Sequence, residues 1–226
     1  VGPHVTDTIV RYEVRGGAQT LLKARESEVL ISGPAGTGKS LAALYKLHLA
    51  CLNKPGIRCL IVRKTAVSLT STTLVTYKKK VAAEALSAGI VHWYGGSQSE
   101  AASFIYDNGS VIVVGGMDKP ERVLSSEYDL IFADEATQLT VTDWETLGTR
   151  LRNGLLSFQQ QIAACNPDSP QHWIKQRADA GTVRMILSRH ADNPAYVTAD
   201  GKLTAQGRDY MAKLDAIHDA VLAQHR

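Results

Sequence analysis

A chain of 226 residues can bury one sizeable core, so one domain is the default and any second domain would have to be small. With 44% hydrophobic and 21% charged residues, and no apolar stretch approaching the roughly 20 residues of a membrane span, a soluble protein is expected. A formal charge of +3 does not by itself diagnose a nucleic-acid partner. Three cysteines without metal-ligand spacing point to reduced cytosolic thiols rather than a disulfide framework or a zinc site.

The chain begins at Val1 with neither an initiator Met nor a basic, apolar, cleavable leader, the pattern expected of a piece trimmed from a longer, non-secreted polypeptide. From Val29 to Ala83 there are nine Lys or Arg residues and no Asp or Glu, a zone suited to polyphosphate or a nucleic-acid backbone. Within it, Lys78 to Lys80 read equally well as a solvated helix face.

Val29 to Ile31 form a short buried-strand pattern, stopped by a Gly-rich turn. Leu41, Leu44, Tyr45, His48 and Leu52 then recur at helical spacing until Pro55 and Gly56. Cys59 to Val62 make a second strand, followed by a Ser/Thr-rich stretch and a helical segment reaching about Ala88. Phe104 to Tyr106 and Val111 to Val114 flank Asn108-Gly109, which predicts a hairpin with a two-residue turn and positive φ at both positions. Leu130 to Ala133 is a further strand, and Thr140 and Asp143 stand at capping-box spacing before a helix. Gln161 to Ala164 and Val183 to Leu187 supply two more strands, with a helix from about Gln171 between them. Tyr210, Leu214, Ile217 and Val221 mark one amphipathic helix. Strands alternating with helices imply an α/β fold: a mainly parallel sheet with helices on both faces, and ligands beyond the carboxyl ends of its strands.

Gly33-Pro34-Ala35-Gly36-Thr37-Gly38-Lys39-Ser40 fits the phosphate-loop pattern and sits between a predicted strand and a predicted helix. Gly33, Gly36 and Gly38 let the backbone curl so that its N–H groups and the helix N-terminus hold anionic phosphates. Lys39 should reach the β and γ phosphates of ATP, and the Ser40 hydroxyl should ligate Mg²⁺. The bland reading is a Gly-rich turn before a helix. Asp134 and Glu135 end an apolar strand, a costly place for two carboxylates unless they meet a cation or solvent. Asp134 is assigned to the Mg²⁺ shell and Glu135 to the attacking water, against the plainer reading of an acidic helix cap. Asn166 in Cys165-Asn166-Pro167 should emerge at the same sheet edge, either as a sensor of the γ phosphate or as an ordinary Asn-Pro strand terminator.

The order GPAGTGKS, IVRK (Ile61 to Lys64), YDNGS (Tyr106 to Ser110), GGMDKPERVLSSEYDLIFADEA (Gly115 to Ala136), ACNP (Ala164 to Pro167) and SRHADNPAY (Ser188 to Tyr196) resembles the ATPase domain of the large terminase subunit of tailed bacteriophages. The resemblance spans nearly the whole chain. It implies a P-loop NTPase of the additional-strand, catalytic-glutamate type, with a core at about 20–190 and a C-terminal helical segment at about 203–226. It also implies a motor that uses ATP to drive double-stranded DNA through a portal protein into a procapsid, in the cytoplasm of an infected bacterium, with a small terminase subunit as partner. A homo-oligomeric ring on the portal is implied, and monomeric behaviour of the isolated domain is compatible with it.

By the same resemblance Asn166 lies in the motif coupling hydrolysis to movement, and Gln19 matches the adenine-reading glutamine, where the sequence alone reads as a surface Gln. Many terminases carry an Arg inside the phosphate loop, but Pro34 to Thr37 contain none. Arg122 matches the position from which some members reach an arginine finger into a neighbouring subunit's site, against the plainer reading of a surface Arg beside Glu121, and Arg63, following a strand, is a second candidate. The approximately 40 residues after Leu187 are too few for the family's nuclease domain, so no DNA cleavage is expected of this chain. A helicase-like or repair ATPase shares the phosphate loop and the acidic strand end. A non-catalytic nucleotide switch shares the loop but has little need of Glu135.

Overall fold

The computed structural model describes residues 12–166 and 169–216. Its strands are β1 (Glu28–Ser32), β2 (Arg58–Arg63), β3 (Val91–Tyr94), β4 (Ala102–Tyr106), β5 (Val111–Gly116), β6 (Leu130–Asp134), β7 (Gln160–Cys165) and β8 (Arg184–Leu187). Its helices are α1 (Gly16–Lys23), α2 (Lys39–Asn53), α3 (Ala66–Thr70), α4 (Thr73–Thr76), α5 (Ala83–Ser87), α6 (Pro120–Leu124), α7 (Val141–Gly148), α8 (Trp173–Asp179) and α9 (Ala205–Asp215). A π-helical turn, Tyr77–Val81, joins α4 to α5.

All eight strands lie in one sheet, ordered β3-β4-β5-β2-β6-β7-β1-β8. From β5 to β8 every pairing is parallel, while β4 runs antiparallel to both of its neighbours. β7 stands between β1 and β6, which is the additional-strand arrangement. Among the described residues no helix is long and apolar enough to cross a membrane.

The period-2 alternation of the strands divides the core. Val29, Ile31, Cys59, Ile61, Leu130, Phe132, Ile162 and Ala164 pack on the face that carries α1, α2 and the run from α3 to α5. Leu30, Leu60, Val62, Ile131, Ala133, Ala163 and Cys165 pack on the opposite face against α6, α7 and α8. The same alternation places Arg63 and Asp134, the last residues of β2 and β6, and Asn166, one step past β7, on the α2 face, where the phosphate loop enters its helix.

Three expectations need correcting. The hairpin turn has three residues rather than two: Gly109 N–H bonds Tyr106 O, Tyr106 N–H bonds Ser110 O, and of Asn108 and Gly109 only the glycine has positive φ. Asn108 instead donates from Nδ2 to Cys51 O at 2.7 Å, tying the turn to the end of α2. The helical segment reaching Ala88 is broken into pieces. The hydroxyls of Ser68, Thr70 and Thr72 bond carbonyls three or four residues back, in competition with the helix ladder. Lys46, counted in the basic zone, faces neither solvent nor phosphate. Its ammonium is buried against Leu21 O, Ala24 O and Gln160 Oε1, and burial pulls its pKa down to about 7.

The capping box forms as expected, with Asp143 N–H bonding Thr140 Oγ1 and Thr140 N–H bonding Asp143 Oδ2. The helix expected from Gln171 starts at Trp173. Tyr210 and Leu214 lie on α9; Pro167, Ile217 and Val221 fall outside the described residues.

Beneath α2, His48 Nδ1 lies 3.1 Å from Tyr77 OH and 2.6 Å from Tyr106 OH, and burial pulls its pKa from the ordinary 6.5 to about 4. Between those values the unfolded chain binds a proton that the folded chain refuses, so acid favours unfolding. The resulting stability is complete above about pH 6.5 and is lost as pH falls toward 4, at most about 3 kcal/mol. Urea midpoints measured at pH 7 and pH 4.5 should therefore converge in His48→Gln relative to the parent chain.

Candidate active site

The phosphate loop leaves β1 at Ser32 and enters α2 at Lys39. Gly36 and Gly38 take φ of +79° and +89°, a region costly for residues with a Cβ. Gly33 serves differently from the expectation. It has no positive φ, but a Cβ there would stand 2.0 Å from Ser188 O, so the glycine permits close backbone approach. No side chain caps α2 at Gly38. The first-turn N–H groups of this 15-residue helix thus retain the capacity to hold an anion.

Lys39 Nζ donates to Gly33 O and Pro34 O, each at 2.6 Å, and to Asn166 Oδ1 at 3.1 Å. Burial lowers its pKa, opposed by the field of Cys165, Glu135 and Asp134. Ser40 Oγ donates to Asp134 Oδ1 at 2.7 Å, and Thr73 Oγ1 to Asp134 Oδ2 at 2.5 Å. Thr73 has no signature in the sequence, because a threonine in a Ser/Thr-rich stretch carries no spacing signal.

Glu135 would point to the opposite face of the sheet if strand alternation continued. It instead adopts φ 52° and ψ 47°, and is the one non-glycine with positive φ among the described residues. Such a conformation costs about 1–3 kcal/mol and is kept only where surrounding structure enforces it. Here Glu135 borders the cleft and Arg63 holds it. The guanidinium's Nη2 is 3.1 Å from Glu135 Oε1, and its Nε is 3.5 Å from Asp134 Oδ2. The register that pairs Val62 with Ala133 brings Arg63 beside Asp134. Its Nη1 is anchored on Ser68 O at 2.8 Å and Thr72 Oγ1 at 2.9 Å, so Arg63 links both carboxylates to the segment after β2.

A cleft of about 290 Å³ is bounded by Gly36, Lys39, Ser40, Asp134, Glu135 and Asn166. A second cleft of about 280 Å³ adjoins it, sharing Gly36, Gly38, Leu41 and Thr76 and reaching Lys80, Asn193 and Gln206. Of the sequence-nominated residues, two stand apart. Gln19 is exposed on α1 and lines neither cleft, although its neighbour Ala18 lines the second. Arg122 lies on α6, donates to Gln98 O at 2.8 Å and borders a different cleft with Lys119 and Trp93.

The donor set fits Mg²⁺. A hydroxyl and a carboxylate are hard oxygen ligands, and among the described residues no group of three or more His, Cys, Asp or Glu could hold a metal alone. A cation here would share its shell with phosphate and water, as Mg²⁺ does.

A family model described as phage terminase large subunit matches residues 25–202. The chain belongs to the phage large terminase family. The large terminase of a thermophilic bacteriophage superposes with a TM-score of 0.69 at 13% identity, covering 93% of this chain and 52% of that one. The same protein in complex with ATP-γ-S gives 0.68 at 13% identity, covering 93% and 51%. The ATPase domain of the Thermus phage P74-26 large terminase gives 0.63 at 13% identity, covering 95% of this chain and 92% of that domain. No curated protein matches the sequence. This terminase chain therefore spans about half the length of the first of these relatives and has the fold of the family's ATPase domain.

Proposed function

We propose that the chain is the Mg²⁺-dependent, ATP-hydrolysing motor domain of a large terminase, and that its turnover drives double-stranded viral DNA into a procapsid. The observation carrying this reading is convergence. Lys39 and Ser40 from the start of α2, Asp134 and Glu135 after β6, and Asn166 after β7 border one cleft at the carboxyl edge of the sheet.

The loop N–H groups and the start of α2 bind the β and γ phosphates. Lys39 exchanges its carbonyl partners for phosphate oxygens and balances their charge. Ser40 and Asp134 would hold Mg²⁺, which when bound would supply positive charge against the phosphates. Glu135 accepts a proton from the attacking water as its oxygen bonds to the γ phosphorus and the bond to the β-phosphate oxygen breaks, giving ADP and inorganic phosphate. Asn166, bonded to Lys39, reports whether the γ phosphate is present. The bound ATP-γ-S of the thermophilic relative supports a nucleotide in this fold.

Portal protein, small terminase subunit and a homo-oligomeric ring belong to the same reading, as does action in the cytoplasm of the infected bacterium. In that ring Arg122 is assigned to a neighbouring subunit's site, since its own fold leaves it at another cleft. Phosphate release by the purified chain tests the core claim: Lys39→Ala should lose both ATP-γ-S binding and turnover, and wild-type turnover in that variant would refute the site. Strand separation by this chain alone would favour a helicase over a packaging motor.

A further inference from the structure

Residues 188–210 form a strap along the phosphate loop, and its polar groups reach the loop's carbonyls. His190 Nε2 lies 2.9 Å from Ala35 O, an atom that can only accept, so Nε2 carries the proton. Tyr210 OH donates to the same oxygen at 3.0 Å. Asn193 Nδ2 donates to Gly36 O at 2.6 Å, its amide orientation fixed because Oδ1 accepts from Ala195 N–H at 3.0 Å. The strap is itself held: Tyr210 stacks on Tyr196 at 4.7 Å between ring centroids, and Asp192 accepts from Gly17 N–H at the start of α1.

A trans peptide is planar, and its C=O and the following N–H point in opposite directions. Holding Ala35 O and Gly36 O toward the strap therefore turns the N–H groups of Gly36 and Thr37 away from it. The glycines that let this loop curl also leave its peptide planes free to rotate, because no Cβ resists. An anion-binding loop built this way needs its planes fixed from outside, or each binding event bears the entropy of ordering them.

We infer that His190, Asn193 and Tyr210 are positioning residues for phosphate binding, preorganising the loop N–H groups without touching the ligand themselves. The inference rests on the nucleotide reading proposed above and adds a claim about the Asp192-Asn-Pro194 segment, which that reading leaves without a role.

The test is titration calorimetry of the chain with ATP-γ-S and separately with inorganic tripolyphosphate, comparing wild type with Asn193→Ala and Tyr210→Phe. Tyr210→Phe removes one hydroxyl and keeps the ring stack, so it serves if the other variant fails to fold. Each variant should weaken both ligands by the same factor, about fivefold for one net hydrogen bond, with kcat at saturating ATP changed less than twofold. Equal affinity in wild type and both variants would overturn the inference. So would a loss confined to ATP-γ-S, which would place the strap at the nucleoside end. Failure of wild type to bind either ligand would refute the nucleotide reading itself.

Discussion

Glu135→Gln should bind ATP-γ-S with nearly wild-type affinity while turning ATP over about 10²–10⁴-fold more slowly. The amide keeps the shape of the carboxylate and can still accept from Arg63 Nη2, which lies 3.1 Å from Oε1, but it cannot take a proton from water. Binding depends on the loop, Lys39 and the Ser40–Asp134 pair, whose hydrogen bonds the substitution leaves in place. Single-turnover phosphate release alongside calorimetry separates the two effects. Turnover near the wild-type rate would move the water-activating role elsewhere. The backbone supplies a companion measurement. Since Glu135 sits at φ 52°, Glu135→Gly should relieve part of that strain and raise the chain's melting temperature even as activity disappears. Gain of stability with loss of turnover is the expected pattern where strain serves function.

The loop, the strand beneath it and the acidic strand end were legible because each is a local pattern: glycine spacing, an apolar run, then charge. Asn166 was legible only as one of two readings, and its contact with Lys39 across 127 positions is a product of the sheet order rather than of any spacing. α1 was invisible for a physical reason. It opens on Gly16-Gly17, poor helix formers, and owes its place to the buried Leu21 and to Asp192, 175 residues away. β3 was equally hidden: Val91–Tyr94 is four residues long and gains its identity from antiparallel pairing with β4. Gln19 was drawn from resemblance alone, and α1 turns it outward. The nine basic residues read as one zone, yet folding separates them: Lys39 enters the cleft, Lys46 is buried under α1, and Arg63 is committed to two carboxylates. Charge counted along a chain does not survive the fold as a patch.

Arg63 offers the sharper distinction, because the sequence left it as one of two arginines that could stabilise transferring phosphoryl charge. Its ion pair with Glu135 argues for action through the base, and a double-mutant cycle decides. Arg63→Ala should lower turnover at least 10²-fold in the wild-type background. In the Glu135→Gln background, where the base is already lost, the same substitution should cost little further. An arginine acting directly on the phosphoryl group would instead lower turnover by a similar factor in both backgrounds, since its contribution would not pass through Glu135. Arg63→Lys should not restore activity. The guanidinium holds Ser68 O and Thr72 Oγ1 with Nη1 and Glu135 with Nη2, and a single ammonium cannot span that fork. It does keep the buried charge opposite Asp134, and so it should melt closer to wild type than Arg63→Ala, which leaves that carboxylate without its guanidinium. Separate ranking of the variants in stability and in turnover would identify Arg63 as the group that holds the base in place.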